Sequence, residues 1–347
     1  MHPILYPPGE KDFLDNGLAV LTDCTKCLVT EERNGAYTLE MQYPANGRHY
    51  DLIAEDCILL AKPNPDDEPQ PFRLYKSGLN MSGITTWYGE HVSYFANDVP
   101  IEPIATSQTT PAGAFAKISA AAALENPFTF STTLSTETSF GLAAPTPLKK
   151  VLGGVEGSVL DQFGGEYHYN KWKIELLKNR GADRGFVISY GKNLTDISQE
   201  KNLTKVTTAI FPFWKSSDDD TLVTLPEKIV VLDGAREYGH VHCKTIDFSQ
   251  DFTDAPSVDT LRAYAKAYLK TSGIAEPVVS ITLKYAQLVK RKQGAIIAGL
   301  ASASLCDTVS VEFPRYGISV KAKIIKVVYN TLKERYEEAE IGKAKSR

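Results

Sequence analysis

The sequence predicts a β-rich α+β fold: two small antiparallel β-barrels, one at each end of the chain, with α/β and helical insertions between them. Three observations carry this expectation. Short runs near both ends alternate apolar with polar residues, the period of a half-buried strand. Turn signals rich in Asn, Gly and Pro separate those runs. Between them lie stretches with helical spacing, each opened by a capping residue.

Residues 1–98 read as the first barrel domain. Residues 18–21 are apolar and strand-like, and Cys27 opens another strand that reaches Thr30. Asn34-Gly35 is a hairpin signal, because both residues tolerate positive φ. Tyr37, Leu39 and Met41 then alternate with polar neighbours. Residues 57–61 form a short apolar strand, closed by a loop at 63–71 that is too acidic and proline-rich to enter a sheet. Strands at 72–75, 84–88 and 90–95 complete the set.

Residues 99–165 read as an α/β domain. Thr110-Pro111 is an N-cap followed by a proline suited to the first helical turn. Phe115, Ile118, Ala122 and Leu124 share one face of the alanine-rich helix that follows, and Pro127 ends it. A strand at 128–130 precedes a Ser/Thr-rich loop to Phe140. Thr146-Pro147 repeats the helix-start device. Leu148, Val151, Leu152, Val155, Val159 and Phe163 fit one helical face. Gly153, Gly154 and Gly157 weaken that helix by about 1 kcal/mol each relative to alanine, or break it.

The densest instruction lies at 164–194, GGEYHYNKWKIELLKNRGADRGFVISYGKNL. Tyr167, Tyr169, Trp172, Ile174 and Leu176 alternate with polar residues and read as a strand. Asn179-Arg180-Gly181 turns the chain, a second strand runs from Phe186 to Tyr190, and Gly191-Lys192-Asn193 turns it again. These two strands, taken as antiparallel, close a core only if others join them. They open the second barrel domain, residues 166–215 plus 277–335, with a small one-helix domain at 216–276 inserted. In that insertion Ser257 caps a helix whose face carries Val258, Leu261, Tyr264, Ala265, Tyr268 and Leu269. After Pro277 come Val279, Ile281, Leu283 and Tyr285, then Val309, Val311 and Phe313, then Ile318, Val320, Ala322 and Ile324, each set alternating. Residues 336–347 read as a charged surface tail. The order of strand and loop at 37–75 recurs faintly at 280–324, as two related barrels would require.

Composition narrows the function. The hydrophobic fraction of 43% in 347 residues is enough for substantial cores. No apolar run is long enough to span a membrane and Met1-His2-Pro3 begins no signal peptide, so a soluble protein made in the cytoplasm is expected. The net charge is −4 with cations dispersed, which argues against tight nucleic-acid binding. Near-neutral walls suit a conduit. Cys24, Cys27, Cys57, Cys243 and Cys306 are too few and too odd a set for a disulfide framework. Cys24-x-x-Cys27 lacks a second ligand pair for zinc and a βαβ setting for redox work, so both read as reduced structural thiols.

Candidate chemistry is sparse. No G-x-S-x-G and no H-E-x-x-H occurs. Asp161 and Glu166 flank the double glycine as a nominal carboxylate pair, with capping or exposed carboxylates the plainer reading. His240 and His242 share one strand face at a metal-capable spacing, without a carboxylate motif to complete a site. Asp218, Asp219 and Asp220 lack the spacing of a calcium loop. Trp87, Trp172 and Trp214 lie in or beside strands, where core or subunit contact outweighs a sugar platform. No catalytic, metal or cofactor-binding residue is therefore assigned, and no cofactor is expected.

The stretch at 164–194 also resembles the N-terminal hub region of siphophage tail proteins, the "prophage endopeptidase tail" or "phage minor structural" proteins related to the myophage baseplate hub. The residues that carry the likeness are Gly164-Gly165-Glu166, the aromatic strand, Asn179-Arg180-Gly181 and Tyr190-Gly191-Lys192-Asn193-Leu194. Asn34 to Leu39 with Tyr43-Pro44, Phe72 to Tyr75, and Glu334-Arg335-Tyr336 before Ile341-Gly342 extend it almost end to end. The resemblance implies a virion tail-tip protein with two tube domains, made in the bacterial host cytoplasm. It implies a homotrimer whose six barrels form a pseudo-sixfold ring, with tube-wall segments at 37–43, 172–177, 186–190 and 280–285. Distal tail, tape-measure and fibre or receptor-binding proteins are the implied neighbours, and DNA passes only in transit. Longer members carry a catalytic extension that this chain is expected to lack, so an endopeptidase and a wall-saccharide binder are the alternatives.

Overall fold

Both ends of the chain contribute strands to one thirteen-stranded sheet, seen in a computed structural model. It describes residues 1–189, 194–202, 206–216, 219, 221–232, 239–249, 251–252, 254–272, 274–275, 278–285, 303–316 and 318–342. Turns expected at 191–193, residues Tyr190, Asp218 and Asp220, and the last five residues of the expected tail lie outside this set. So do the side chains of Leu283 and Tyr285. The β-rich α+β class expected from the alternation is borne out.

The chain divides into two units, residues 1–198 with 281–347, and residues 199–280. In the first, Lys26–Glu32 and Tyr37–Pro44 form the hairpin that Asn34-Gly35 announces, with Asn34 at φ 54°. Burial alternates strictly along both strands, so Cys27, Val29, Tyr37, Leu39, Met41 and Tyr43 enter the core. Ile84–His91 pairs with Tyr37–Pro44, Gln70–Leu79 with Ile84–His91, and Ile58–Ala61 with Gln70–Leu79. Residues 92–95, expected as the end of a strand, lie instead in a 3-10 helix, Val92–Asn97. Its start is fixed by the buried His91, whose Nδ1 accepts the Ser93 N–H.

The long strand Ile318–Asn330 splices the two ends of the sequence together. Along one edge it pairs first with Thr308–Phe313 and then with Lys26–Glu32, in register Asn330↔Leu28 through Lys326↔Glu32. Along the other edge it pairs with Arg335–Gly342. The segment expected to be a charged surface tail is thus a paired strand as far as Gly342. Tyr336, Ala339 and Ile341 fill a core with Ile324, Val327 and Tyr329, while the glutamates between them point away.

The 164–194 stretch folds differently from the expectation. Glu166–Asn170 and Lys173–Leu177 are two antiparallel strands joined by a turn at Lys171-Trp172, with Lys171 at φ 52°. The single strand read across Tyr167 to Leu176 is therefore a hairpin. Its phase slips by one residue between Tyr169 and Trp172, and that slip is the turn. The hairpin pairs with Thr129–Thr132, parallel, and not with Asp183–Ser189, which lies parallel to Thr308–Phe313 in the large sheet.

Three helices lie in this part of the chain, and the first packs on the small sheet through Thr129–Thr132. Pro111–Ala120 is capped by the Thr110 hydroxyl, as its sequence requires. It ends before Leu124, which is exposed and not part of the face it was assigned to. The expected helix over Leu148 to Phe163 is two short ones, Leu148–Leu152 and Val159–Phe163, broken at the glycines and restarted by the Ser158 cap, with Val155 exposed.

In the second unit Ala209–Lys215 is the central strand, flanked by Leu222–Thr224 and Val230–Val231 on one edge and Cys243–Asp247 on the other. The helix Val258–Thr271, capped by Ser257, buries Leu261, Ala265 and Leu269 against Ile210, Leu225, Val230 and Phe248.

A paired final strand makes a prediction that a surface tail does not. Ile341→Ala should cost about 2–5 kcal/mol in denaturant unfolding, whereas a residue in an exposed tail changes stability by less than about 0.5 kcal/mol.

Candidate functional site: a buried ionic joint

Glu31 sits in phase with Cys27 and Val29, so strand geometry drives a carboxylate into the core, where it is 2% exposed. Such burial is costly unless a cation and hydrogen bonds accompany it. Arg180 supplies both. Its Nη1 donates to Glu31 Oε1 at 2.5 Å and its Nη2 to Oε2 at 3.2 Å, a two-pronged pairing. Burial disfavours the guanidinium charge, yet Glu31 outweighs it and raises the Arg180 pKa further.

The turn that delivers Arg180 explains why Asn179-Arg180-Gly181 stood out. A Cβ on Gly181 would lie 2.2 Å from the Cys306 carbonyl carbon and 2.4 Å from the Asp307 nitrogen. Asp307 fastens the same place, its Oδ1 accepting the Ala182 N–H at 2.8 Å and its Oδ2 the Ser304 N–H at 2.9 Å.

Two further carboxylates extend the network. Glu166, 5% exposed, accepts the Arg180 backbone N–H at 2.7 Å, Lys323 Nζ at 2.6 Å and Arg33 Nη1 at 3.3 Å. Burial alone would raise its pKa, but the Lys323 and Arg180 hydrogen bonds win and lower it. Asp67 lies 3.5 Å from Arg180 Nη2 and 3.4 Å from His168 Nε2, and it accepts Asn64 Nδ2 at 2.8 Å. Burial again opposes ionisation, and His168 and Asn64 nevertheless hold Asp67 at about 2. His168 Nδ1 meets Glu175 Oε2 at 2.9 Å, so the imidazole stands between two carboxylates. Burial pulls its pKa down, and the bonds to Asp67 and Glu175 raise it overall.

The joint thus fastens together the first hairpin, the loop at 64–69, the small sheet and the Ile318–Asn330 strand. Asn34 adds a neutral clamp, with Nδ2 donating to the Gly165 carbonyl at 2.9 Å and Oδ1 accepting the Tyr167 N–H at 2.8 Å. Chemically the arrangement is a lock. Asp67 and Glu166 are held ionised by the groups around them, the opposite of a general acid poised near neutrality. Cys306, the thiol nearest to it in sequence position, is pushed up to about 12, first by burial and then by Glu166.

The residues singled out from sequence lie elsewhere or apart. Asp161 accepts the Gly157 N–H and caps its own loop, while Glu166 is buried in the joint and not an exposed cap. The His240 and His242 rings are 4.0 Å apart in the second unit. Cys24 and Cys27 are buried, and hydrogen bonding from Cys24, then burial, raises the Cys27 thiol well above its ordinary value. Trp87 and Trp214 are buried, and Trp172 donates from its indole to the Lys11 carbonyl. Sequence reading missed Glu31, Asp67, His168 and Lys323. For Glu31 the signal was present: a charge on the apolar phase of a strand.

Two predictions test the joint. Arg180→Met strands a buried carboxylate and should cost about 3–5 kcal/mol. The double variant Glu31→Leu/Arg180→Met should recover most of that loss in a double-mutant cycle of unfolding free energies. For pH, Asp67 and Glu166 are lowered, so their contribution is present above about pH 4 and disappears as pH falls through their folded values, about 2 for Asp67. His168 is raised, so its contribution is present below about pH 6.5 and disappears as pH rises through its folded value. Thermal stability should therefore peak at mildly acidic pH, and His168→Gln should flatten the alkaline limb and also weaken the acid one, because His168 helps to hold Asp67 ionised.

Comparison with known proteins bears out the resemblance to prophage tail proteins. Residues 182–346 match the family described as Prophage endopeptidase tail. No curated protein matches the sequence. Among solved structures, the fold is similar to prophage tail protein gp18 from Listeria monocytogenes, at TM-score 0.62 and 13% identity, covering 100% of this chain and 96% of that one. It is similar to a tail protein of prophage MuSo2 from Shewanella oneidensis, at TM-score 0.58 and 10% identity, covering 98% and 97%. A tail protein from Neisseria meningitidis gives TM-score 0.58 at 10% identity, covering 99% and 96%.

Proposed function

From this similarity to prophage tail proteins, we propose that the chain is a structural component of a bacteriophage or prophage tail tip. It acts as a hub that extends the tail tube. Three copies close a ring through which DNA passes on infection, and the host-adsorption apparatus attaches to it. The observation that carries the reading is the likeness of fold over the whole chain to three tail proteins. The family match over its second half agrees with it.

The mechanism is assembly. The two β-rich ends supply the tube wall, with segments at 37–43, 186–190 and 280–285 in it. The segment 172–177, also expected there, belongs instead to the small sheet, where Lys173–Leu177 pairs with Thr129–Thr132. The insertions at 99–165 and 216–276 face outward or meet neighbours. A closed ring fixes symmetry without a template, because each copy presents the same two complementary faces. The buried joint suits this role: a wall under load needs parts that keep one arrangement. The site of action is the virion tail tip, next to distal tail, tape-measure and fibre proteins.

Immunogold labelling of virions should place the protein at the tail tip, and deleting its gene should leave particles without functional tails. Normal tails in the deletion strain would overturn the reading. So would release of wall fragments from peptidoglycan by the purified protein, lost in folded His242→Ala or Glu166→Gln variants, which would make it an endopeptidase.

A further inference from the structure

The small three-stranded sheet is sealed on one edge and open on the other. On the sealed side, the Asn34 side chain accepts the Tyr167 N–H and donates to the Gly165 carbonyl just before the strand, and Gln70 Oε1 accepts the N–H of the adjoining Lys171 at 2.6 Å. The open side is Thr129–Thr132, whose one strand partner is Lys173–Leu177. That pairing uses alternate residues, with Thr129 N–H donating to the Trp172 carbonyl and Thr133 N–H to the Leu176 carbonyl, both at 3.1 Å. A parallel ladder then turns the backbone N–H and C=O of Phe130 and Thr132 outward, and these groups have no partner among the described residues.

A groove of about 460 Å³ runs beside this edge. Its far wall is the helix Pro111–Ala120, through Ala112, Phe115, Ala116 and Ser119, and its near wall is the strand itself. Phe115 stacks on Phe130 at 4.9 Å and fixes the spacing of the two walls. Among the described residues, no charged side chain lines the groove. The edge carries none of the usual protection, neither a lysine nor a proline within the strand.

We propose that this slot receives an extended, uncharged segment of a different protein, which adds as a fourth strand beside Thr129–Thr132. The unpaired backbone groups demand an extended backbone. The neutral, aromatic and hydroxyl-bearing walls select alternating apolar and hydroxyl side chains. A second copy of this chain fits poorly, because its own edge strand arrives with a helix already beside it, and the slot has room for a bare strand. The inference stands apart from the tail reading and survives if that reading fails.

A soluble peptide of alternating threonine and valine is the probe, titrated against the full chain by fluorescence anisotropy. Saturable binding is expected. Thr132→Pro deletes one outward N–H and leaves the ladder to Lys173–Leu177 intact, and Ala116→Trp fills the groove. Each should weaken binding about tenfold. Circular dichroism checks their folding, and if one variant fails to fold the other carries the test. Absence of binding to the unaltered chain, or equal binding by the folded variants, overturns the proposal. So does a dimer of the free chain in sedimentation that Thr132→Pro abolishes, since the slot would then belong to a second copy.

Discussion

A single buried charge organises the first unit. Glu31 is forced inward by the period of its strand, on the strand that also accepts the far end of the chain. Left alone it would oppose folding by several kcal/mol. The answer is Arg180, brought in on a turn tight enough to require glycine at 181. Once Arg180 is in place, its backbone N–H draws in Glu166, and Glu166 draws in Lys323 and Arg33. Every later partner is a response to a charge already buried, so the hairpin, the small sheet and the splicing strand are bound into one arrangement.

Much of the fold was legible in the sequence because local rules governed it. Thr110, Ser257 and Asn34-Gly35 did in the structure what their chemistry requires. The failures have physical causes. Arg335–Gly342 carries a register shift opposite Val328/Tyr329, so Tyr336 and Ala339 fall out of period and the intervening glutamates give the segment the look of a tail. The hairpin at 166–177 hid in plain view, its turn marked by a slip in the alternation and by a lysine at positive φ, which no composition rule flags. The pairing of Lys26–Glu32 with Ile318–Asn330 left no trace in either strand.

The joint was the least legible feature. Ionic partners such as Asp67 and His168, or Glu166 and Lys323, are far apart in sequence, and each alone resembles an ordinary surface charge. Only Glu31 broke pattern. What the sequence did offer was a resemblance concentrated in the Gly-Gly-Glu and Asn-Arg-Gly runs, and both lie at the joint. The segments most distinctive in sequence are here the ones whose geometry tolerates least change.

The splice has a consequence for how the molecule comes into being. A ribosome makes Lys26–Glu32 long before Ile318–Asn330, and strand pairings so distant in sequence form slowly. Until Ile318–Asn330 emerges, the nascent Lys26–Glu32 strand presents an unfilled hydrogen-bonding border, the kind of surface on which stray chains gather. A polypeptide released early is therefore an incomplete sheet rather than a shorter working part. Quality control of this protein rests on the arrival of Ile318–Asn330.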